Sequence, residues 1–278
     1  MMQQPDVVLK KARRNMIIGL IVAILAVNSI ILLAGDAESK NFFGNILRPM
    51  VAAVATGLAL VVVYRQKVKG VFGKSYATLA LGLGLYFIAE ILWAYYSIGL
   101  GIEVPFPSLA DVFWLAAYVP FGYGLFTLSR MYSYGKHDKN NKALIITSIG
   151  VAIFASYYVA QLVSVADLTS TEGMTAMAIG IAYPILDSIL IIPALLAVIS
   201  AGKGYLTSVP WIFVSWIFTA IADGIFGYTA VDSIAGDVSL WNLFYNAAYL
   251  CMAAGLLWHY KYMIFDKKRS KVTPTTPS

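Results

Sequence analysis

Three carboxylic acids, Glu90, Asp187 and Asp223, lie in the middle of long apolar stretches of this sequence. An ionised carboxylate at the centre of a bilayer costs about 2.5–3.5 kcal/mol. We therefore expect each acid to face a protein interior, where it is paired, protonated or in contact with water. Arg48, just before Pro49, is the basic residue placed to reach such an interior, and we predict that it approaches one of the acids.

The neighbours of the acids at helical spacing predict the walls of a pocket. Residues three or four positions apart share a helix face. Tyr86 and Trp93 then lie beside Glu90, Tyr183 and Ile191 beside Asp187, and Ala220 beside Asp223. Ordinary packing between helices is the alternative for the aromatic residues. The predicted ligand-binding residues are Arg48, Tyr86, Glu90, Trp93, Asp111, Tyr183, Asp187, Asp223, Asn242 and Asn246.

Asp111 has a second interpretation as part of a helix cap. Ser108 and Asp111 have the spacing of a capping box, in which the first residue caps the helix and the second accepts from its backbone N–H. Ser239 and Asn242 repeat this pattern less strongly. Asn28 and Asn246, inside apolar stretches, are expected to form hydrogen bonds between helices.

The sequence contains no residue pattern that is typical of a metal site or a cofactor site. The single cysteine, Cys251, excludes an intramolecular disulfide and a cysteine metal cluster. Neither His137 nor His259 has the partner spacing of a metal site. No zinc-protease, nucleophile-elbow or nucleotide-loop motif occurs, and no lysine is suitably placed for a retinal Schiff base. We predict no metal and no cofactor.

The elements that must position the acids are transmembrane helices. The 278 residues are 60% hydrophobic and 12% charged, a balance that a soluble domain does not tolerate. Apolar runs of about 20 residues match the thickness of a bilayer. They predict an all-α, multi-pass protein of the cell membrane, with spans at 15–34, 45–64, 76–99, 109–131, 143–165, 174–200, 206–229 and 240–263.

Basic residues alternate between the connecting segments. Of the 20 lysines and arginines, 18 fall on one side of these spans, which predicts a cytoplasmic N-terminus and a cytoplasmic C-terminus. The net charge of +6 is then a signal of topology and does not indicate nucleic-acid binding. The predicted partners are membrane lipids. The segment 266–278 is expected to be a disordered basic tail near anionic headgroups.

The sequence also resembles itself. Ser108–Tyr118 matches Ser239–Tyr249 at an offset of 131 residues, and Glu90 matches Asp223 at an offset of 133. Arg48-Pro49 matches Tyr183-Pro184 at 135. After a basic N-terminus at 1–14, the pattern predicts two parallel four-helix repeats, 15–134 and 135–265, with a site between them.

Two family resemblances follow from these residues. The segment 105–118, with Ala182–Asp187 and Ile221–Gly224, resembles the multi-helix membrane regions that precede diguanylate cyclase or histidine kinase domains in bacterial signalling proteins. We expect no output domain in this chain, so this resemblance implies a sensor-like input module with a separate cytoplasmic signalling partner.

Arg48-Pro49, Glu90 and Asp223 resemble a basic-Pro pair and two aspartates of the eight-helix lysoplasmalogenase family, with Glu90 in place of an aspartate. That resemblance implies catalytic roles for Glu90 and Asp223, one as general acid on a vinyl ether and one as base for water.

Three functions therefore stand as hypotheses. The first is a membrane sensor or ligand-binding module without enzymatic activity. The second is a membrane-embedded lipid hydrolase that uses Glu90 and Asp223. The third is a small-solute transporter coupled through the same two carboxylates. The first requires a ligand pocket, the second a lipid-sized cavity that both acids reach, and the third two alternately open vestibules.

Overall fold

The computed structural model describes residues 4–133, 137–165, 168–200, 209–232 and 240–265. These residues form eight α-helices and no strand. Their bounds are α1 Gln4–Leu32, α2 Ala37–Gln66, α3 Gly70–Ala94, α4 Leu109–Ser133, α5 His137–Val165, α6 Thr171–Ser200, α7 Val209–Asp232 and α8 Leu240–Trp258. A π-helical turn, Tyr95–Gly99, extends α3, and another, His259–Phe265, extends α8.

Each predicted span coincides with one of these helices, so the all-α prediction is confirmed. The beginning of the seventh predicted span, at 206–208, and the tail 266–278 lie outside the described residues. Within the described residues, six helices contain stretches that are long and apolar enough to cross a membrane, and α5 and α7 contain shorter ones, Ser148–Ser164 and Trp211–Gly227. The architecture is that of an α-helical membrane bundle.

Local signals explain several of the helix ends. Asp36 caps α2, and its Oδ1 accepts a hydrogen bond from the Ser39 backbone N–H at 2.8 Å. Lys67 ends α2 with a φ of 65°, and Gly70, at 66°, begins α3. Because glycine adopts positive φ without steric cost, the chain can reverse within three residues between these helices.

The centre of the bundle is built from α2, α3, α4, α7 and α8. Helix α3 packs along α4, α7 packs along α8, and α2 contacts both α3 and α8. Helix α6 bridges α4 and α7, whereas α1 packs on α8 and α2, and α5 packs mainly on α6. Ala52, Ala55 and Ala59 are fully buried along α2. Small residues of this kind let helices approach closely.

Candidate functional site

A buried ion pair connects α2 and α3. Arg48 Nε on α2 is 3.0 Å from Glu90 Oε2 on α3, and the two side chains are 3% and 2% exposed. The Tyr249 hydroxyl on α8 donates to Glu90 Oε1 at 2.9 Å. The prediction that Arg48 reaches one of the acids is confirmed. Burial of both partners makes this a closed contact, in which each charge depends on the other.

Aromatic rings enclose the guanidinium group of Arg48. Its Cζ atom lies 5.3 Å from the ring centroid of Trp93 and 5.5 Å from that of Tyr245. Trp93 is itself held by a hydrogen bond from its Nε1 to Asn45 Oδ1 at 3.1 Å. Cation–π attraction strengthens when the cation is removed from water. Trp93, a predicted site residue, therefore contributes to holding Arg48 against Glu90.

The other two acids lie together. The Tyr118 hydroxyl donates to Asp187 Oδ1 at 2.7 Å, and the Tyr245 hydroxyl donates to Asp223 Oδ1. Asp187 on α6 and Asp223 on α7 line the same cavity. Two neighbouring carboxyl groups that are both ionised repel each other, and a proton or a cation between them removes that repulsion.

Both aspartates open onto a cavity of about 230 Å³. Its wall is formed by three helices: Gly150, Val151, Phe154 and Tyr158 on α5, Tyr183, Pro184, Asp187, Ser188 and Ile191 on α6, and Ala220, Ile221, Asp223 and Gly224 on α7. The predicted neighbours Tyr183, Ile191 and Ala220 are among these residues. We call this space the acidic cavity, because Asp187 and Asp223 are its charged lining residues.

Two small residues of α7 make the approach of α5 close. A β-carbon on Gly227 would coincide with the Tyr158 hydroxyl, and a β-carbon on Gly224 would lie 3.5 Å from the ring of Phe154. The two aromatic rings of α5 are stacked, with centroids 6.5 Å apart. Glycine on α7 therefore lets aromatic side chains of α5 form one wall of the acidic cavity.

Asp111 performs the predicted capping role and also links two helices. Its Oδ2 accepts from the Ser108 backbone N–H at 2.7 Å and from the Ser108 hydroxyl at 2.9 Å. Its Oδ1 accepts from the Tyr183 hydroxyl at 2.8 Å. The cap thereby fixes Tyr183 at the edge of the acidic cavity. Of the weaker repeat of this cap, Ser239 lies outside the described residues.

The remaining predicted residues lie in the packed interior. Tyr86 packs edge-on against Phe121, with ring centroids 5.1 Å apart. Asn242 is 1% exposed and packs directly against Gly44. Asn246 donates to Asn28 Oδ1 at 3.2 Å, and Asn28 donates to the Leu243 carbonyl at 3.1 Å. The prediction that Asn28 and Asn246 form hydrogen bonds between helices is confirmed.

One half of the chain supplies the lining residues of the acidic cavity. The sequence predicts a site between the two four-helix halves, whereas the lining residues of this cavity all belong to α5, α6 and α7. At one contact between the halves, Trp93 packs against Phe226 with ring centroids 5.8 Å apart. A site between the halves stays a prediction.

Sequence reasoning missed the tyrosines that hold the acids, which are Tyr118, Tyr245 and Tyr249, and the α5 residues Phe154 and Tyr158. One signal was present, since Tyr118 and Tyr249 occupy matching positions in the two similar segments. Each of these two tyrosines donates to a buried acid.

The described residues thus define an α-helical membrane bundle with an interior network of acids, one arginine and tyrosines. Among those residues there is no group of three or more His, Cys, Asp or Glu side chains placed to hold a metal ion. Comparison of the chain with protein-family models, with curated protein sequences and with solved structures finds no match.

Proposed function

We propose that this chain is an integral membrane ligand-binding module of the sensor type, and that its ligand occupies the acidic cavity. The observation that carries the proposal is the pair Asp187 and Asp223 on the wall of one cavity. Ionisable groups within a membrane bundle are expensive to bury and typically mark functional sites. A concave space with apolar walls and a few convergent polar groups is the usual form of a small-molecule site.

The chemistry of the wall favours a ligand with a positively charged group on an apolar body. Two neighbouring carboxyl groups disfavour a negatively charged ligand. A positively charged group can instead bind between them, in the place that a proton would take. Phe154, Tyr158 and Tyr183 offer aromatic rings to the same space. Aromatic faces bind organic ammonium groups and also pack against apolar atoms. A small organic ammonium compound satisfies both parts of this wall.

The acidic cavity opens toward the outer surface of the bundle. Phe154 is 57% exposed and Ile221 is 39% exposed, and both contribute to its wall. In a membrane this surface faces lipid. We therefore propose that the ligand enters sideways from the bilayer, which favours amphipathic compounds over strongly hydrated ions.

The proposed topology has eight spans with both termini in the cytoplasm of a cell. Helices α5 and α7 count as spans because they are 29 and 24 residues long, more than the approximately 20 that a bilayer requires. The alternation of basic residues between successive connections supports this orientation. The basic connections would then be available to a separate cytoplasmic signalling partner.

The proposed internal repeat is supported by contacts between the halves. Trp93 and Phe226, which match at an offset of 133 residues, pack against each other. A residue and its equivalent meet only near the axis that relates two repeats. The packing of α2 on α8 corresponds to that of α6 on α4 under the same pairing of helices. A two-fold axis through the bundle accounts for both observations.

Under this repeat, the two halves use equivalent positions differently. Glu90 corresponds to Asp223, and Arg48 corresponds to Tyr183. The arginine neutralises Glu90 in the first half, whereas the second half has tyrosine at that position and a second carboxyl, Asp187, beside Asp223. We propose that the first half became structural and that the second half retained the space for a ligand.

The proposal is tested by ligand-induced stabilisation of the purified full-length protein in detergent micelles. The probes are 2-phenylethylammonium and its neutral counterpart 2-phenylethanol. We expect the ammonium compound to raise the melting temperature and the alcohol to leave it unchanged, because the alcohol lacks the charge. A ligand stabilises the folded state in proportion to the logarithm of its concentration above Kd.

The variants Asp187→Asn and Asp223→Asn should each abolish the shift. Glu103→Gln, at an exposed position between α3 and α4, is the matched control and should preserve it. Equal shifts with the alcohol and the ammonium compound, or an unchanged shift in both aspartate variants, would overturn the proposal.

Transport is the second candidate, and the two carboxyl groups of Asp187 and Asp223 on the wall of one cavity favour it. A pair that holds one proton can release it when a cation binds, which is the elementary step of proton–cation exchange. Uptake of labelled 2-phenylethylammonium into proteoliposomes, driven by an outward proton gradient, would distinguish a transporter from a binding module. The hydrolase hypothesis requires Glu90 and Asp223 at one cavity, and Glu90 is not among the residues that line this one.

A further inference from the structure

A second cavity, of about 440 Å³, lies between the first turns of α1 and the end of α8. Residues from both helices line it: Lys11, Ala12, Asn15 and Met16 from α1, and Leu257, Trp258, Lys261 and Tyr262 from α8 and its π-helical extension. It shares no residue with the acidic cavity. A lysine from each helix faces this space, with apolar and aromatic side chains beside them.

The second cavity lies far from the hydrogen bonds that connect α1 with α8. The hydrogen bonds of Asn28 to Leu243 and Asn246 hold the two helices together near the other end of α1. Asn15 precedes Asn28 by 13 residues, which is about 20 Å along a helix. The lining residues of α8 follow Asn246 by a similar length, so the helices are antiparallel here and the cavity is near one edge of the proposed spans.

Each helix presents a stripe that changes from basic to apolar. On α1, Lys11 and Asn15 are followed on the same face by Ile18, Val22 and Leu25, which are 53%, 58% and 61% exposed. Spacings of three and four residues keep this stripe on one side of the helix. On α8, Lys261 continues at the same spacings to Leu257, Ala254 and Leu250.

Aromatic rings line the boundary between the basic and apolar parts. The rings of Trp258 and Tyr262 have centroids 4.3 Å apart, and Lys261 Nζ lies 5.3 Å from the centroid of Tyr262. Tryptophan and tyrosine concentrate at the headgroup level of membranes, where one end of the ring is apolar and the other is polar. Their position here indicates that the cavity lies at the lipid–water interface.

We infer that this cavity binds one anionic phospholipid. Its phosphate would lie between Lys11 and Lys261, the Asn15 amide would contribute a further hydrogen bond, and an acyl chain would follow the apolar stripe of α1. Basic cavities between transmembrane helices at the headgroup level recognise anionic lipids in this way. A free phosphate ion would satisfy the lysines but would leave the apolar stripe without a partner. This inference is independent of the acidic cavity and its ligand.

Native mass spectrometry of the full-length protein in micelles tests the inference with dioctanoyl phosphatidylglycerol and dioctanoyl phosphatidylcholine as probes. We expect one molecule of phosphatidylglycerol to bind more tightly than phosphatidylcholine. In the variant Lys11→Gln/Lys261→Gln, the affinity for phosphatidylglycerol should fall about 30-fold, since each basic residue near an anionic headgroup contributes about fivefold. The control Lys69→Gln/Lys74→Gln removes two exposed lysines at the beginning of α3 and should change the affinity less than twofold.

Filling the cavity provides a second test that leaves every charge in place. Ala12 is half-buried in its wall, so Ala12→Trp should abolish binding of the lipid while the melting temperature without lipid stays close to that of the original protein. Equal affinities for the two lipids, an equal loss in the control variant, or unchanged binding to Ala12→Trp would each overturn the inference. Binding of glycerol phosphate as tight as that of the lipid would show a soluble-phosphate site and would overturn it as well.

Discussion

Arg48 and Glu90 face each other across the contact between α2 and α3, with Nε and Oε2 3.0 Å apart and with side-chain exposures of only 3% and 2%. Their position in the bundle makes this ion pair a link between three helices, because Tyr249 of α8 donates to the same carboxyl group. Helices α2, α3 and α8 therefore meet at a charge contact that is buried from water.

Removal of the negative partner should destabilise the fold strongly. Glu90→Gln preserves the size of the side chain but leaves the Arg48 guanidinium buried without a counter-ion. We expect a loss of about 3–5 kcal/mol in the free energy of unfolding, measured by denaturant unfolding in micelles.

The double variant Arg48→Met/Glu90→Leu is the control for that experiment. It removes both charges and fills the space with apolar atoms, so it should be more stable than Glu90→Gln. The single variants Arg48→Met and Glu90→Leu complete the comparison. If their losses in the free energy of unfolding add up to the loss in the double variant, the two residues are independent and the buried pair is contradicted.

The two matching tyrosines should separate structure from ligand binding. Tyr249→Phe removes the hydrogen bond to Glu90 and should lower the stability by about 1–3 kcal/mol, the effect of leaving a buried acceptor without its donor. Its effect on binding of 2-phenylethylammonium should be small, because neither residue lines the acidic cavity. Stability and ligand affinity are measured in parallel on the same preparation.

Tyr118→Phe, at the matching position on α4, should show the reverse pattern, because the acid to which Tyr118 donates lies in the second half. Tyr118 donates to Asp187 at 2.7 Å, and Asp187 lines the acidic cavity. The affinity for 2-phenylethylammonium should therefore change more in Tyr118→Phe than in Tyr249→Phe. Identical behaviour of the two variants would show that the halves are functionally equivalent and would argue against a site confined to the second.

The helices and several polar contacts could be predicted from the sequence. They depend either on local residue spacing or on the small number of polar residues in the apolar stretches. A single arginine near the apolar interior leaves few choices of partner for Glu90, and the contact of Arg48 with Glu90 follows. Asn28 and Asn246 are predictable for the same reason, since an amide in an apolar surrounding needs a hydrogen-bond partner. The cap of Asp111 depends on a spacing of three residues.

The acidic cavity could not be predicted in this way. Its wall depends on how α5 lies against α6 and α7, and that approach is set by tertiary contacts such as Tyr158 against Gly227. Tyrosine also counts as an ordinary aromatic residue in a hydropathy pattern, so the hydroxyl groups of Tyr118 and Tyr245 carry no periodic signal. The presence of Asp187 and Asp223 on one cavity wall likewise depends on the tertiary contact of α6 with α7.

Two glycines of α3 should respond oppositely to the same substitution. A β-carbon on Gly82 would lie 2.8 Å from three ring atoms of Phe121, which is 1% exposed and has no room to move. Gly82→Ala should therefore destabilise the bundle by about 1–3 kcal/mol through overpacking. Thermal unfolding in micelles measures the change.

Gly84, two positions further along the same helix, has no atom within 4 Å of such a β-carbon among the described residues. Gly84→Ala should stabilise the protein by about 0.5–1 kcal/mol, since alanine loses less backbone freedom in a helix than glycine does. A similar loss of stability in both variants would indicate a general intolerance of α3 to alanine and would contradict the close contact between Gly82 and Phe121.

The cap of α2 should depend on pH. Hydrogen bonds from the backbone N–H and the side chain of Ser39 stabilise the ionised form of Asp36 and hold the pKa of this carboxyl below its usual value of about 4. The stabilising effect of the cap is therefore fully present above that usual value and is lost as the pH falls through the lowered pKa. The first turn of α2 should fray on acidification while the rest of the bundle remains folded.

Hydrogen exchange at the Ser39 amide measures this fraying as a function of pH. In Asp36→Asn the amide oxygen still caps the helix but does not titrate, so the protection of Ser39 should become independent of acidification. The internal control is α6, where the neutral Ser170 hydroxyl accepts from the Gly173 N–H at 3.0 Å. Protection at Gly173 should stay constant over the range in which Ser39 loses it, and a parallel loss at both amides would attribute the effect to the whole bundle instead of the Asp36 carboxylate.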